Sequence, residues 1–269
     1  MIYQEIPLKL EGSLPYAKLV LYIQDDSDAL QIKKRPMVVL CPGGGYGHTS
    51  DREAETMALQ FMAMGAHAAV LRYSVAPAKH PVQITELAYS MKYIREHADE
   101  WNVDADKILV QGSSAGGHLA AMLGCFWNTE WLAQAVEAKD NAEIKPDGMI
   151  LSYPVITSGE YAHKGSFDNL VGENDELRKQ LSLEYQVDAD TPKTFIWHTF
   201  EDEAVPVENS LFMVSALRKY HIPTEFHLFP KGVHGLALAN ALTADIGGGH
   251  VQKECEIWID LARTWIDNL

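Results

Sequence analysis

Five consecutive residues, Gly112-Ser113-Ser114-Ala115-Gly116, fit the pattern G-x-S-x-G, follow the apolar run Ile108 to Gln111 and open the helical segment HLAAMLGCFW. A serine on a tight turn between strand and helix has its hydroxyl projected clear of the backbone. The residues two before and two after it must be tiny, because strand and helix approach closely there. Ser114 holds that central position and Ser113 does not. A serine hydroxyl is a weak nucleophile at neutral pH, so a base has to take its proton and an acid has to orient that base. Asp202, in HTFEDEAVP, lies in the loop after the run KTFIW and starts a D-x-x-V-P turn, with Glu201 and Glu203 on either side. Of eleven histidines, His234 in KGVHG is the best placed, 32 residues beyond Asp202 and after the last strand-like run. His198, at a strand end, is the second choice, and helical geometry turns His118 away from the hydroxyl.

An acyl transfer through Ser114 also needs donors for the oxyanion that develops on the substrate carbonyl. Pro42-Gly43-Gly44-Gly45-Tyr46 follows the run MVVL, and bare glycine backbone lets N–H groups approach a substrate closely. The N–H groups of Gly44, Gly45 and Ala115 are the expected oxyanion hole. The same glycines lack the G-x-G-x-x-G spacing of a dinucleotide turn, and no H-E-x-x-H is present for a zinc hydrolase. The chemistry expected of this set calls for no metal and no organic cofactor. Just downstream, Ser50-Asp51-Arg52-Glu53 reads as a capping box that starts a helix.

These residues need a scaffold that holds loop tips together, and the chain pattern supplies one. Short apolar runs recur at Lys18 to Ile23, Met37 to Leu40, Ala68 to Tyr73, Ile108 to Gln111, Met149 to Tyr153, Thr194 to His198 and Glu225 to Phe229. From the second onward they read as parallel strands buried on both faces. Between them lie helical stripes, as in Ile84, Leu87, Ala88, Met91, Ile94, Ala98 and Trp101, and again in Val251, Cys255, Trp258, Ala262 and Trp265. Alternating strands and helices predict an α/β fold: a mostly parallel central sheet with helices on both faces, in a single domain over residues 1–269. The polar stretch Val155 to Pro192 interrupts the alternation, and a small cap and a plain surface excursion both fit it.

The 269 residues carry 22 Lys and Arg against 37 Asp and Glu, a net charge of −15 that excludes nucleic acid as an expected partner. Gln111 to Thr129 holds no charged residue over 19 positions, but its serines, glycines, Gln111 and His118 fit a buried helix rather than a membrane span. Cys41, Cys125 and Cys255 are odd in number and lack C-x-x-C spacing, so neither a disulfide framework nor a zinc ribbon is expected. The first ten residues, MIYQEIPLKL, do not read as a secretory signal, which points to the cytoplasm. Oligomeric state is left open.

Taken together, PGGGY, GSSAGG, WHTFEDEAVPVENS and PKGVHGLAL resemble the small bacterial carboxylesterases of the α/β-hydrolase fold, in particular acetyl esterases and lipase-like relatives of acetylxylan esterases. The resemblance implies a triad of Ser114, Asp202 and His234, an oxyanion hole of Gly44, Gly45 and Ala115, and a small-molecule ester as substrate, acetylated sugars included. One departure is that many relatives in the hormone-sensitive-lipase branch carry His-Gly-Gly-Gly where this chain has Pro42-Gly43-Gly44-Gly45. An amide hydrolase on the same triad, such as an arylformamidase or small peptidase, is the second reading. A ligand-binding protein on a hydrolase fold is the third.

Overall fold

The computed structural model describes residues 1–269. Eight strands form one sheet: β1 (Ile2–Pro7), β2 (Lys18–Ile23), β3 (Arg35–Cys41), β4 (His67–Arg72), β5 (Val103–Ser113), β6 (Gly148–Ser152), β7 (Thr194–Thr199) and β8 (Thr224–Phe229). Their order is β1-β2-β4-β3-β5-β6-β7-β8. β1 and β2 are antiparallel additions at one edge, and β4 through β8 run parallel. Met37 to Cys41 of β3 are fully buried, as apolar runs free of polar alternation require.

Eight helices cover the sheet: α1 (Glu55–Ala63), α2 (Val82–Glu96), α3 (Ala115–Phe126), α4 (Glu130–Ala135), α5 (Lys164–Val171), α6 (Asp175–Gln180), α7 (Glu208–Lys219) and α8 (Trp258–Asp267). Side chains from α2, α3 and α7 pack with Met37, Val39 and Cys41 on one face. Those of α1 and α8 pack with Val38 and Leu40 on the other. This is the α/β-hydrolase architecture, and alternate residues of a single strand feed two separate cores.

Four local expectations change. β1 was not anticipated, because it is an exposed edge strand whose polar residues carry no core signal. β8 is only partly buried, being the opposite edge. The stripe drawn from Val251 becomes α-helical only at Trp258, after a 3-10 turn at Lys253–Cys255, with Val251 exposed on a loop that follows three glycines. Ala98 and Trp101 stay in the core but lie beyond the end of α2 at Glu96. The stretch from Val155 to Pro192 contains α5, α6 and a 3-10 turn at Leu183–Tyr185.

Candidate active site

The parallel strands all end at the same edge of the sheet, so the loops that leave them meet there. β5 ends at Ser113, and Ser114 turns the chain into α3 with φ 55° and ψ −121°. That strained conformation is held by the backbone on both sides: Ser114 N–H donates to Ser152 O at 3.0 Å, and Ser114 O accepts from Val155 N at 3.0 Å. A Cβ on Gly112 would lie 2.1 Å from Gly116 O, and one on Gly116 would lie 1.9 Å from Cys41 O. No larger residue fits either position.

The loop after β8 brings His234 to this turn. Its Nε2 lies 2.7 Å from Ser114 Oγ, and its Nδ1 lies 2.7 Å from Asp202 Oδ2. An ionised carboxylate only accepts, so Nδ1 carries the proton and Nε2 is left to accept from the serine hydroxyl. Asp202 is buried in the loop after β7, and its Oδ1 accepts from the N–H groups of Ala204 and Val205 at 3.0 and 2.9 Å. Burial alone would raise the Asp202 carboxyl. Hydrogen bonds from His198 and His234 outweigh it and hold the group well below the usual carboxylate range. Glu201 and Glu203 are exposed and make no such contacts.

The glycine loop after β3 faces the serine turn. None of the N–H groups of Gly44, Gly45 and Ala115 donates to an acceptor within the chain, so all three are free for a substrate oxygen. The loop is pinned around them: Tyr73 donates its hydroxyl to Pro42 O at 2.6 Å, and Asn169 donates to Gly45 O at 2.9 Å. Glu53 Oε2 accepts from Gly43 N at 2.8 Å. Gly44 needs its freedom, because at φ 127° a Cβ would sit 2.2 Å from His48 O.

Ser114 and His234 open on a cleft of about 560 Å³. Ser50, Arg52, Ser114, His163, Asn169, His234 and several glycines are among its lining residues, and no apolar side chain is. No three His, Cys, Asp or Glu side chains converge as a metal site.

The BD-FAE family model matches residues 26–217. The chain belongs to the BD-FAE family. A solved acetyl ester-xyloside bifunctional hydrolase from Caldicellulosiruptor lactoaceticus superposes with a TM-score of 0.84 at 35% identity, covering 98% of this chain and 96% of that one. MGS-M1, an α/β hydrolase enzyme from a deep-sea metagenome library, superposes with a TM-score of 0.79 at 33% identity, covering 100% and 97%. Endo-1,4-beta-xylanase B of Butyrivibrio fibrisolvens is 37% identical over 252 residues, which is 89% of this chain. This BD-FAE chain spans only 38% of the length of that xylanase.

Several residues around the site were not legible as part of it. The capping box at Ser50 does not form: Ser50 caps nothing with its side chain, and residues 51–53 make a 3-10 turn. Glu53 is instead buried, joining Gly43 N–H to the hydroxyl of Tyr153, 2.6 Å from its Oε1. Tyr153 in turn accepts from Ala237 N at 2.9 Å and packs edge-on to His234 with ring centroids 5.1 Å apart. His198 is no alternative base. Its ring is buried, with Nε2 shared between Asp202 Oδ2 at 3.2 Å and Val205 O at 3.0 Å and Nδ1 against Ser210 Oγ at 2.7 Å. His118 points away from Ser114, donating from Nε2 to Leu181 O, so that its Nδ1 accepts from the Tyr46 hydroxyl at 2.9 Å. No helix of the chain is long and apolar enough to cross a membrane.

Proposed function

We propose that this chain is a serine esterase that removes short, acetyl-type acyl groups from a polar alcohol such as a sugar. The observation that carries the reading is the run of contacts from Ser114 Oγ through His234 to buried Asp202, set in a cleft without an apolar lining residue. Ser114 Oγ attacks the ester carbonyl carbon while His234 Nε2 takes its proton. The N–H groups of Gly44, Gly45 and Ala115 take the oxyanion, each such donor being worth about 3 to 4 kcal/mol in the transition state. On collapse His234 protonates the departing alcohol, and water then cleaves the acyl-enzyme by the same steps in reverse order.

The cleft also supports the substrate class. A long acyl chain gains binding energy only against apolar walls, which this cleft does not have, whereas sugar hydroxyls find imidazole, amide and hydroxyl partners in His163, Asn169 and Ser50. Burial, and the neighbouring His234, hold His163 below the usual histidine range, so it serves as a neutral donor or acceptor. His163 and Asn169 belong to the 155–192 excursion, which thereby acts as a small cap along one wall. The name of the Caldicellulosiruptor structural relative points the same way. Strain stored at Ser114 argues against a pure binding protein, which has no use for it.

The test is hydrolysis of nitrophenyl acetate, butyrate and octanoate and of acetylated xylo-oligosaccharides, with a nitrophenyl formamide beside them, by the wild type and by Ser114→Ala. Rates should fall with acyl length, esters should outrun the amide, and Ser114→Ala should lose roughly 10⁶-fold in kcat. Equal rates in the variant, or a preference for octanoate, would end the proposal.

A further inference from the structure

The cleft beside Ser114 contains a guanidinium that the protein leaves without a counter-charge. Arg52 lines the cleft and donates from Nε to Thr243 O at 2.6 Å, and neither terminal nitrogen has a partner in the chain: Nη2 is buried, which leaves Nη1 as the one a ligand in the cleft can reach. Both carboxylates next to it in the chain are committed elsewhere. Asp51 pairs with Arg72 at 2.8 Å, and Glu53 is used by Gly43 N–H and the Tyr153 hydroxyl. Arg95 and Arg178, which are also partly buried, each have an aspartate partner, whereas Arg35, at the start of β3, donates to Gly65 O and lines no part of this cleft. A partly buried cation costs free energy unless it is paired, and this chain, at −15, has no shortage of carboxylates with which to pair it. Arg52 goes without a carboxylate partner on the wall of the cleft that holds Ser114.

The charge pattern continues past the triad. A second cleft of about 860 Å³ meets the first at His234 and His250, and Glu201, Glu203 and Lys231 line it together with Ala204, Val233, Leu236 and Val251. An extended substrate lying across His234 thus meets the Arg52 guanidinium at one end, beside a Glu53 carboxylate whose oxygens are already bonded within the chain, and Glu201 and Glu203 against a single Lys231 at the other. An anionic substituent is drawn to the first and repelled from the second.

We propose that Arg52 is a specificity residue selecting esters that carry a carboxylate, bound by the guanidinium within the catalytic cleft. The proposal rests on the esterase reading of that cleft. The carboxylate has two sources, the alcohol, as in an acetylated uronic acid, or the acyl group, as in a succinyl monoester.

The experiment measures kcat/KM for four esters: an acetylated methyl xyloside, an acetylated methyl glucuronoside, the same glucuronoside with its carboxyl methylated, and the succinyl monoester of methyl xyloside. Wild type should favour one carboxylate-bearing ester over its neutral counterpart by about tenfold or more, mainly through KM, and added salt should erode the preference. The favoured ester identifies the source. Arg52→Gln should abolish the ratio of acidic to neutral turnover, and Arg52→Lys should keep part of it. If Arg52→Gln does not fold, the methylated glucuronoside and the salt dependence in wild type still decide. A wild type that hydrolyses all four with equal kcat/KM overturns the role of Arg52 alone. So does an Arg52→Gln variant that loses acidic and neutral turnover in parallel, since that is the signature of a mere tether to Thr243. A wild type inactive on all four ends both this proposal and the esterase reading.

Discussion

Tyr153 donates its hydroxyl to Glu53 Oε1 at 2.6 Å across 100 residues of sequence. Burial, and then the neighbouring Glu53 carboxylate, raise the tyrosine well above its ordinary range, so the hydroxyl keeps its proton and remains the donor. Through this bond the loop bearing the proposed oxyanion donors Gly44 and Gly45 and the loop bearing His234 are fastened to one another, since Glu53 also holds Gly43 N–H and Tyr153 also accepts from Ala237 N–H.

Glu53→Ala therefore leaves two buried donors, the Gly43 N–H and the Tyr153 O–H, without acceptors, a cost of about 1 to 3 kcal/mol each. Activity should fall mainly in kcat, by roughly 10- to 100-fold, because the proposed oxyanion donors act in the transition state. Glu53→Gln keeps one acceptor oxygen and should retain more activity than the alanine variant. Steady-state kinetics on nitrophenyl acetate measures both. A fall confined to KM would contradict the positioning role.

Asp202 holds His234 in the tautomer that accepts from Ser114. Asp202→Asn should lose on the order of 10⁴ in kcat, by analogy with serine proteases. His198 touches Asp202 and not the serine, so His198→Gln should cost much less. An inverted ranking of the two variants would place the base at His198.

Gly116→Ala and Gly235→Ala separate crowding from backbone strain. The first forces a Cβ to 1.9 Å from Cys41 O; the second meets nothing within 4 Å but sits at φ 76°. Gly235→Ala should cost about 1 to 2 kcal/mol, whereas Gly116→Ala should lose 3 kcal/mol or more, of the order seen for severe core disruptions. Urea unfolding midpoints compare them, and similar losses would mean that the turn yields more than its contacts imply.

Acid should unfold the protein in a defined window. Burial lowers His67 and His118 to about 4, from the ordinary 6.5. Between those values the unfolded chain binds protons that the folded one refuses, so stability declines as pH falls from 6.5 towards 4. Each group contributes at most about 1.4 kcal/mol per pH unit. Asp202 acts in the same direction lower down. Its depressed carboxyl contributes stability that is present above the unfolded value of about 3.9 and lost as pH falls towards the folded one. Urea midpoints taken from neutral pH to about pH 5 should fall, and His118→Gln should flatten the slope. A flat wild-type curve would contradict this account.

The residues proposed to do the chemistry were legible because each punctuates a strand end. Ser114, Asp202, His234 and the Gly43 to Gly45 run all follow apolar runs, where a glycine or turn signal marks the exit from the sheet. Glu53 and Tyr153 carried no such mark. The acid at position 53 matched a local capping pattern, and only the folded sheet brings Tyr153 within reach to compete for it. The same holds for Arg52, whose backbone acceptor is 191 residues away. β1 and β8 depart from expectation for a related reason: edge strands are shaped by solvent on one side, which a pattern of apolar runs does not register.

The separations that hid those partners also bear on the order of assembly. Ser114 and His234 are 120 residues apart, and Glu53 bridges to Tyr153 over 100. Such contacts form only after long loops have closed, which makes them late and slow in a folding reaction. Refolded chains should regain tryptophan burial before they regain turnover. The lag between the two signals would time the moment at which two distant loops clasp around the serine.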